Sequence, residues 1–226
     1  MSTASTVPST PAPGPVPADA LARYVIGLGD DALVLSHRLA EWITRAPQLE
    51  EDMALANISL DLLGQARTLL TYAGQVQGQG RSEDDLAYLR SEREFTNVQL
   101  VEIPNGDFAV TIARQLIFSA YQFELYSALA GAPDATLAAL AAKAVKEVDY
   151  HRDHAAQWTL RLGDGTELSH ARMQAALEAT WPYVEELFDP AEIADDLLAL
   201  PGIAVDPGTL RGGWSDYLRP VLAQAT

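Results

Sequence analysis

Four histidines and a scatter of carboxylates at helical spacing are the side chains here that could hold a metal or move a proton. Glu147 and His151 stand four apart, as do His37 and Glu41, so each pair shares one face of a helix. Such a pair offers one nitrogen and one oxygen to a metal, but it more commonly serves as an ion pair supporting its helix. A di-iron carboxylate bundle demands more, namely acids from four helices and Glu-x-x-His on two of them. None of the four long helical segments read below carries Glu-x-x-His. Nucleophilic hydrolysis has no footing: there is no cysteine and no Gly-x-Ser-x-Gly. Gly163-Asp164-Gly165 lacks the Lys-Ser/Thr ending of a phosphate loop, and Asn105-Gly106 reads as a turn. His170, after a glycine-containing loop, is expected at the surface.

The elements that would position these groups are helical almost throughout. Leu21, Val25, Leu28, Ala32, Leu35, Leu39 and Trp42 form one stripe, closed at Arg45-Ala46-Pro47 because proline disfavours helix in the residue before it. Leu49, Met53, Ala56, Leu60, Leu63 and Leu70 form a second stripe, read as the core face of a helix ending in the Gly74–Gly80 stretch. The tight connection predicts an antiparallel hairpin. Ser82 starts a shorter helix that gives way near Ile103-Pro104-Asn105-Gly106. Asp107 caps a third long helix and Asp134 a fourth, which Gly163 closes. A fifth is expected over 170–188 with a break at Pro182, and Asp189-Pro190 opens a short one. Gly202 to Thr226 is poorly periodic. Trp42, Trp158, Trp181, Trp214, Tyr121, Tyr126 and Tyr150 are assigned to core packing. The fold class is all-α, a four-helix bundle with additional short helices. Residues 1–18, rich in Pro, Ser, Thr and Ala, are expected to be a disordered tail ahead of a single domain over 19–226.

Composition narrows the function. The chain has 226 residues, 15 Lys plus Arg and 31 Asp plus Glu, for a net charge of −16. That sign argues against a nucleic-acid partner, which needs a basic stripe. No apolar run reaches the roughly 18 residues that span a membrane, and the N-terminus lacks the pattern of a signal peptide. The expectation is a cytoplasmic protein with no membrane contact.

Several strings then resemble a known family. Gly29-Asp30-Asp31-Ala32-Leu33-Val34-Leu35-Ser36-His37-Arg38-Leu39-Ala40-Glu41-Trp42 and Leu55-Ala56-Asn57-Ile58-Ser59-Leu60-Asp61-Leu62-Leu63-Gly64-Gln65-Ala66-Arg67 are similar to the C-subunit family of bacterial phenylacetyl-CoA epoxidases. Pro104-Asn105-Gly106-Asp107-Phe108, Lys143 to Glu147 with Tyr150-His151, and Gly202 to Pro207 fit the same family, over about residues 21–219. The proline-rich tail looks like an addition, and the family usually carries a further C-terminal segment.

The resemblance implies a ferritin-like bundle acting as a non-catalytic structural subunit. The expected partners are a catalytic A subunit holding a di-iron centre, a second copy of this chain, and other epoxidase components including a reductase. Phenylacetyl-CoA is reached through the complex, whose reaction is ring 1,2-epoxidation in phenylacetate catabolism. In register with the A subunit, the ligand positions fall on Ala32, Leu62, Gln65, Val148 and His151, so no metal and no cofactor are expected in this chain. Leu, Val and Ala give no oxygen to a hard iron pair. By resemblance only, Glu94, Phe95, Thr96 and Asn97, and also Asp195, Asp196 and Leu197, lie where acyl-CoA approaches at a subunit boundary. Alternative readings are an autonomous metalloenzyme using Glu41, Asp61, Glu124, Glu147, His151 and His154, or a helical adaptor for another partner. The fourth helix carries Ala135, Ala138, Ala139, Ala141, Ala142 and Ala144 nearly all the way round, which predicts burial on several faces and an interface there.

Overall fold

The computed structural model describes residues 16–225, and the rest of the expected tail lies outside them. Among the described residues there are nine α-helices and no strand. The four long ones are α1 (Ala18–Ala40), α2 (Leu49–Gln77), α5 (Phe108–Leu129) and α6 (Ala135–Gly163). Between them come α3 (Glu83–Tyr88) and α4 (Gln99–Glu102). After them come α7 (Glu167–Thr180), α8 (Asp195–Leu198) and α9 (Arg211–Ala225). The first helix starts at Ala18, inside the expected tail.

α1 and α2 pack as the predicted antiparallel hairpin, the Ser36 hydroxyl donating to Ser59 O at 2.8 Å and the Ser59 hydroxyl to Ser36 O at the same distance. The reversal between them puts Thr44 at φ 70, a left-handed conformation that a β-branched residue rarely adopts. α5 and α6 form the second hairpin, and α2 meets α6 to close the bundle. Side-chain caps start these elements where expected: Asp107 accepts from Val110 N, and Asp134 from Thr136 N and Leu137 N. Ser82 and Asp85 complete a reciprocal capping box on α3.

Several expectations are corrected. The stripe assigned to the core on α2 is wrong by a face. Leu49, Met53, Leu60 and Leu63 are exposed and Ala56 is half-buried; of that stripe Leu70 alone lies in the core, with Leu55, Ile58, Leu62, Ala66, Leu69 and Ala73. A helix apolar on two sides gives a pattern that periodicity alone cannot assign to the inside. The helix expected from Ser82 to Ile103 is instead α3, a short 3-10 turn, an extended strap and α4, because backbone groups of 96–99 bond to carboxylates outside the segment. Gly163 does not adopt a left-handed cap. It is the last residue of α6 and is needed because a Cβ there would stand 2.2 Å from Ala225 O. Asp189-Pro190 opens no helix. The poorly periodic C-terminus contains α9, held by Trp214, whose indole donates to Ile117 O at 3.0 Å. Trp181 and Tyr150 are largely exposed rather than core, and His170 is half-buried with Nδ1 2.7 Å from Gly163 O.

Candidate functional site

The centre of the bundle, where the resemblance puts the expected ligand positions, is lined mainly by hydrocarbon. Ala32 of α1, Leu62 of α2 and Val148 of α6 are fully buried, and Gln65 and His151 nearly so. Polar groups around them are tied up pairwise. The Gln65 amide donates to Glu147 Oε2 at 3.0 Å, and Lys143 Nζ holds the other Glu147 oxygen at 2.9 Å. His151 Nε2 lies 3.1 Å from Asp61 Oδ2, and His154 Nε2 lies 2.8 Å from Glu51 Oε2. The i,i+4 pairs read from the sequence do not form: Glu147 and His151 each bond elsewhere, and Glu41 bonds Arg38 and Asn105.

The set proposed for an autonomous metalloenzyme is dispersed. Asp61, Glu147, His151 and His154 sit between α2 and α6, Glu41 follows α1, and Glu124 lies against Gly213. Among the described residues, no group of three or more His, Asp or Glu stands close enough to hold a metal ion. A hard metal pair needs several carboxylate oxygens, so these residues do not fit one. Sequence reading passed over one Glu-x-x-His, Glu167 to His170, at the start of α7. Its Glu167 is exposed and its imidazole is bonded to the Gly163 carbonyl.

A second region has the shape of a binding site. A cavity of about 630 Å³ opens between α1, the 93–99 strap and the 186–193 segment. Phe95, Thr96 and Asn97 are among its lining residues. Glu94 turns away, its carboxylate accepting from Ser91 N at 2.8 Å. None of Asp195, Asp196 and Leu197 lines the cavity, Leu197 is buried in the core, and Ala191, Glu192 and Ile193 stand at the wall instead. Arg23, Arg93, Tyr121 and Glu186 also line it, and no motif marked them in advance. One signal was available, the adjacent acids Asp30-Asp31 in the middle of α1 with apolar residues on both sides.

Those two acids hold the strap. Asp30 is fully buried and takes both Nη atoms of Arg90 as well as Thr96 N–H at 3.0 Å, and Arg90 stacks over the Phe95 ring. Asp31 accepts from Val98 N at 2.8 Å, and Glu186 accepts from Gln99 N at 2.9 Å. Burial pushes the Asp31 carboxyl up to about 8, with the charges of Asp30 and Glu186 adding to the effect. Burial also raises Glu186. Arg23 and Arg93 form no ion pair among the described residues. The cavity therefore joins aromatic walls, two free guanidinium groups and a carboxyl that holds its proton near neutrality.

No helix among the described residues is long and apolar enough to cross a membrane. Compared with known proteins, the chain is 50% identical over 206 residues to the C subunit of the 1,2-phenylacetyl-CoA epoxidase of Escherichia coli (strain K12). The match covers 91% of this chain and 82% of that protein. Residues 6–226 match the family described as phenylacetic acid catabolic protein. With that match spanning nearly the whole bundle, including its hydrocarbon centre, the chain belongs to the phenylacetic acid catabolic protein family.

Proposed function

We propose that this chain is the non-catalytic structural subunit of a phenylacetyl-CoA epoxidase, holding no iron itself and supporting a di-iron A subunit. The observation that supports this reading is the burial of Ala32, Leu62 and Val148, at positions that the resemblance aligns with ligands in the A subunit. The chain keeps the bundle and fills its centre. Its role in ring epoxidation is then to build and hold the complex in which the A subunit, supplied with electrons by a reductase, oxidises phenylacetyl-CoA. The Phe95–Asn97 edge of the cavity is where the acyl-CoA approaches this chain at the subunit boundary. The opening carries the aromatic Phe95 and the free Arg93. A net charge of −16 leaves most of the phosphate-binding cations to the A subunit.

The test is to express the A-type subunit alone and together with this chain, and to measure iron and epoxidation. The expected outcome is well under one equivalent of iron or manganese on the isolated chain. The A subunit should be poorly soluble alone, and an active complex should form once a reductase is added. Two tightly held irons on this chain, or an A subunit equally soluble and active by itself, would overturn the reading.

A further inference from the structure

α2 has two apolar faces, and among the described residues one of them is left uncovered. Its inner face packs in the core. Its outer face carries Leu49, Met53, Ala56, Leu60 and Leu63, spaced four, three, four and three apart. The long side chains of that stripe, Leu49, Met53, Leu60 and Leu63, are 71, 61, 63 and 41% exposed. A mean step of 3.5 is the spacing of a helix–helix seam. An unpartnered surface helix would place polar residues along that line.

Gly64 is the independent observation. It lies inside the 29-residue α2 without a left-handed φ, and nothing stands within 4 Å of where its Cβ would be. Glycine is less favourable than alanine in a helix interior, and neither the backbone nor any neighbour in the chain calls for it here. Leu60, Leu63, Gly64 and Arg67 occupy positions i, i+3, i+4 and i+7, the four corners of a hole that receives one side chain from a facing helix. A glycine at one corner makes that hole deep enough for a large knob.

Charge selects the occupant. Two copies of this chain would each bring a net −16 to the contact, and Glu50 and Asp61 flank the seam. The residues outside the structure at the N-terminus, 1–15, offer only Met1 and Val7 as larger apolar side chains, too few to fill it. We propose that the Leu49–Leu63 seam with its Gly64 hole docks a helix of a different and more basic subunit, one large apolar side chain of which sits over Gly64. On the reading given above that subunit is the catalytic one, and the surface rests on that reading.

The test titrates the full chain against the A-type subunit and measures Kd. The wild type binds; Leu60→Glu weakens binding about a hundredfold, and Gly64→Leu at least about tenfold. Gly64→Ala in the isolated chain raises Tm by about 2–3 °C, since space and helix propensity both favour it, so loss of binding in this region is not misfolding. Leu168→Glu, an equally exposed leucine on α7, binds as the wild type does. Wild-type affinity in both Leu60→Glu and Gly64→Leu overturns the surface while leaving the subunit reading intact. Failure of the wild type to bind overturns that reading and the surface with it. Self-association of the wild type that Leu60→Glu abolishes, with A-subunit binding untouched, assigns the seam to a second copy and overturns the choice of partner.

Discussion

At the scale of single residues, the chain uses buried acids to organise backbone. Asp31 is the clearest case. Its carboxyl, raised from 3.8 to about 8 by burial, keeps in the folded state a proton that the unfolded chain releases. Between those two values the folded state binds more protons, so stability falls as pH rises through that window and levels off above it. Asp31→Asn retains an oxygen for Val98 N–H and removes the titration. Thermal melts from about pH 4 to pH 9 should show the variant matching the wild type at the acid end and exceeding it above neutrality; parallel curves would show that Asp31 does not titrate there. Asp61 is partly buried and is paired with His151. It is itself 38% exposed, while its partner His151 is fully buried with Nδ1 unpartnered. The tautomer with hydrogen on Nε2, donating to Asp61, leaves the fewest donors unpaired. Asp61→Leu therefore strands a buried N–H at a cost of about 1–3 kcal/mol, and Asp61→Asn, keeping an acceptor, costs less. Chemical denaturation of both variants checks the order.

At the scale of elements, two close fits fix pieces whose own sequences are weak. Arg114 on α5 is fully buried, and its guanidinium donates to Ile103 O at 2.9 Å and to Asn105 Oδ1 at 2.6 Å, locking the turn ahead of that helix. Burial lowers the guanidinium to about 10, so it stays charged at neutral pH. Lysine cannot span both acceptors, so Arg114→Lys should cost about 2–3 kcal/mol and increase amide exchange in residues 103–106. At the same end of the bundle, where α6 ends, Gly163 admits the backbone of Ala225. Because backbone cannot yield as a flexible side chain can, Gly163→Ala should displace the end of α9 and cost about 1–3 kcal/mol, read as lost protection in α9 ahead of global unfolding. Glycine in a helix-ending position reads from sequence as a cap. Only the packing shows it as a point of contact.

At the scale of the whole molecule, a net charge of −16 is an excess of like charge held in one compact chain. Self-repulsion of that kind weakens the compact state, and salt screens it over about 10 Å at 0.1 M. The Tm of the isolated chain should therefore rise between low salt and about 0.3 M NaCl. A fall would mean that the local ion pairs outweigh the global repulsion. The helical fold class, the antiparallel first hairpin and the caps at Ser82, Asp107 and Asp134 were legible in the residues, because each is set by patterning or within one turn. Which face of α2 lies inside was not, since apolar side chains line both faces and only the neighbours present decide. Nor was the strap over Asp30 and Asp31 visible, because its backbone is satisfied by carboxylates more than 60 positions away in sequence. The helix α9 was hidden by its glycines and Pro220, and it exists through Trp214 and Ala225 meeting helices formed earlier in the chain. Sequence determined the elements through local hydrogen bonding and patterning. Tertiary structure decided burial and bonding between distant segments, because those depend on free energies that arise only when separate parts of the chain come into contact.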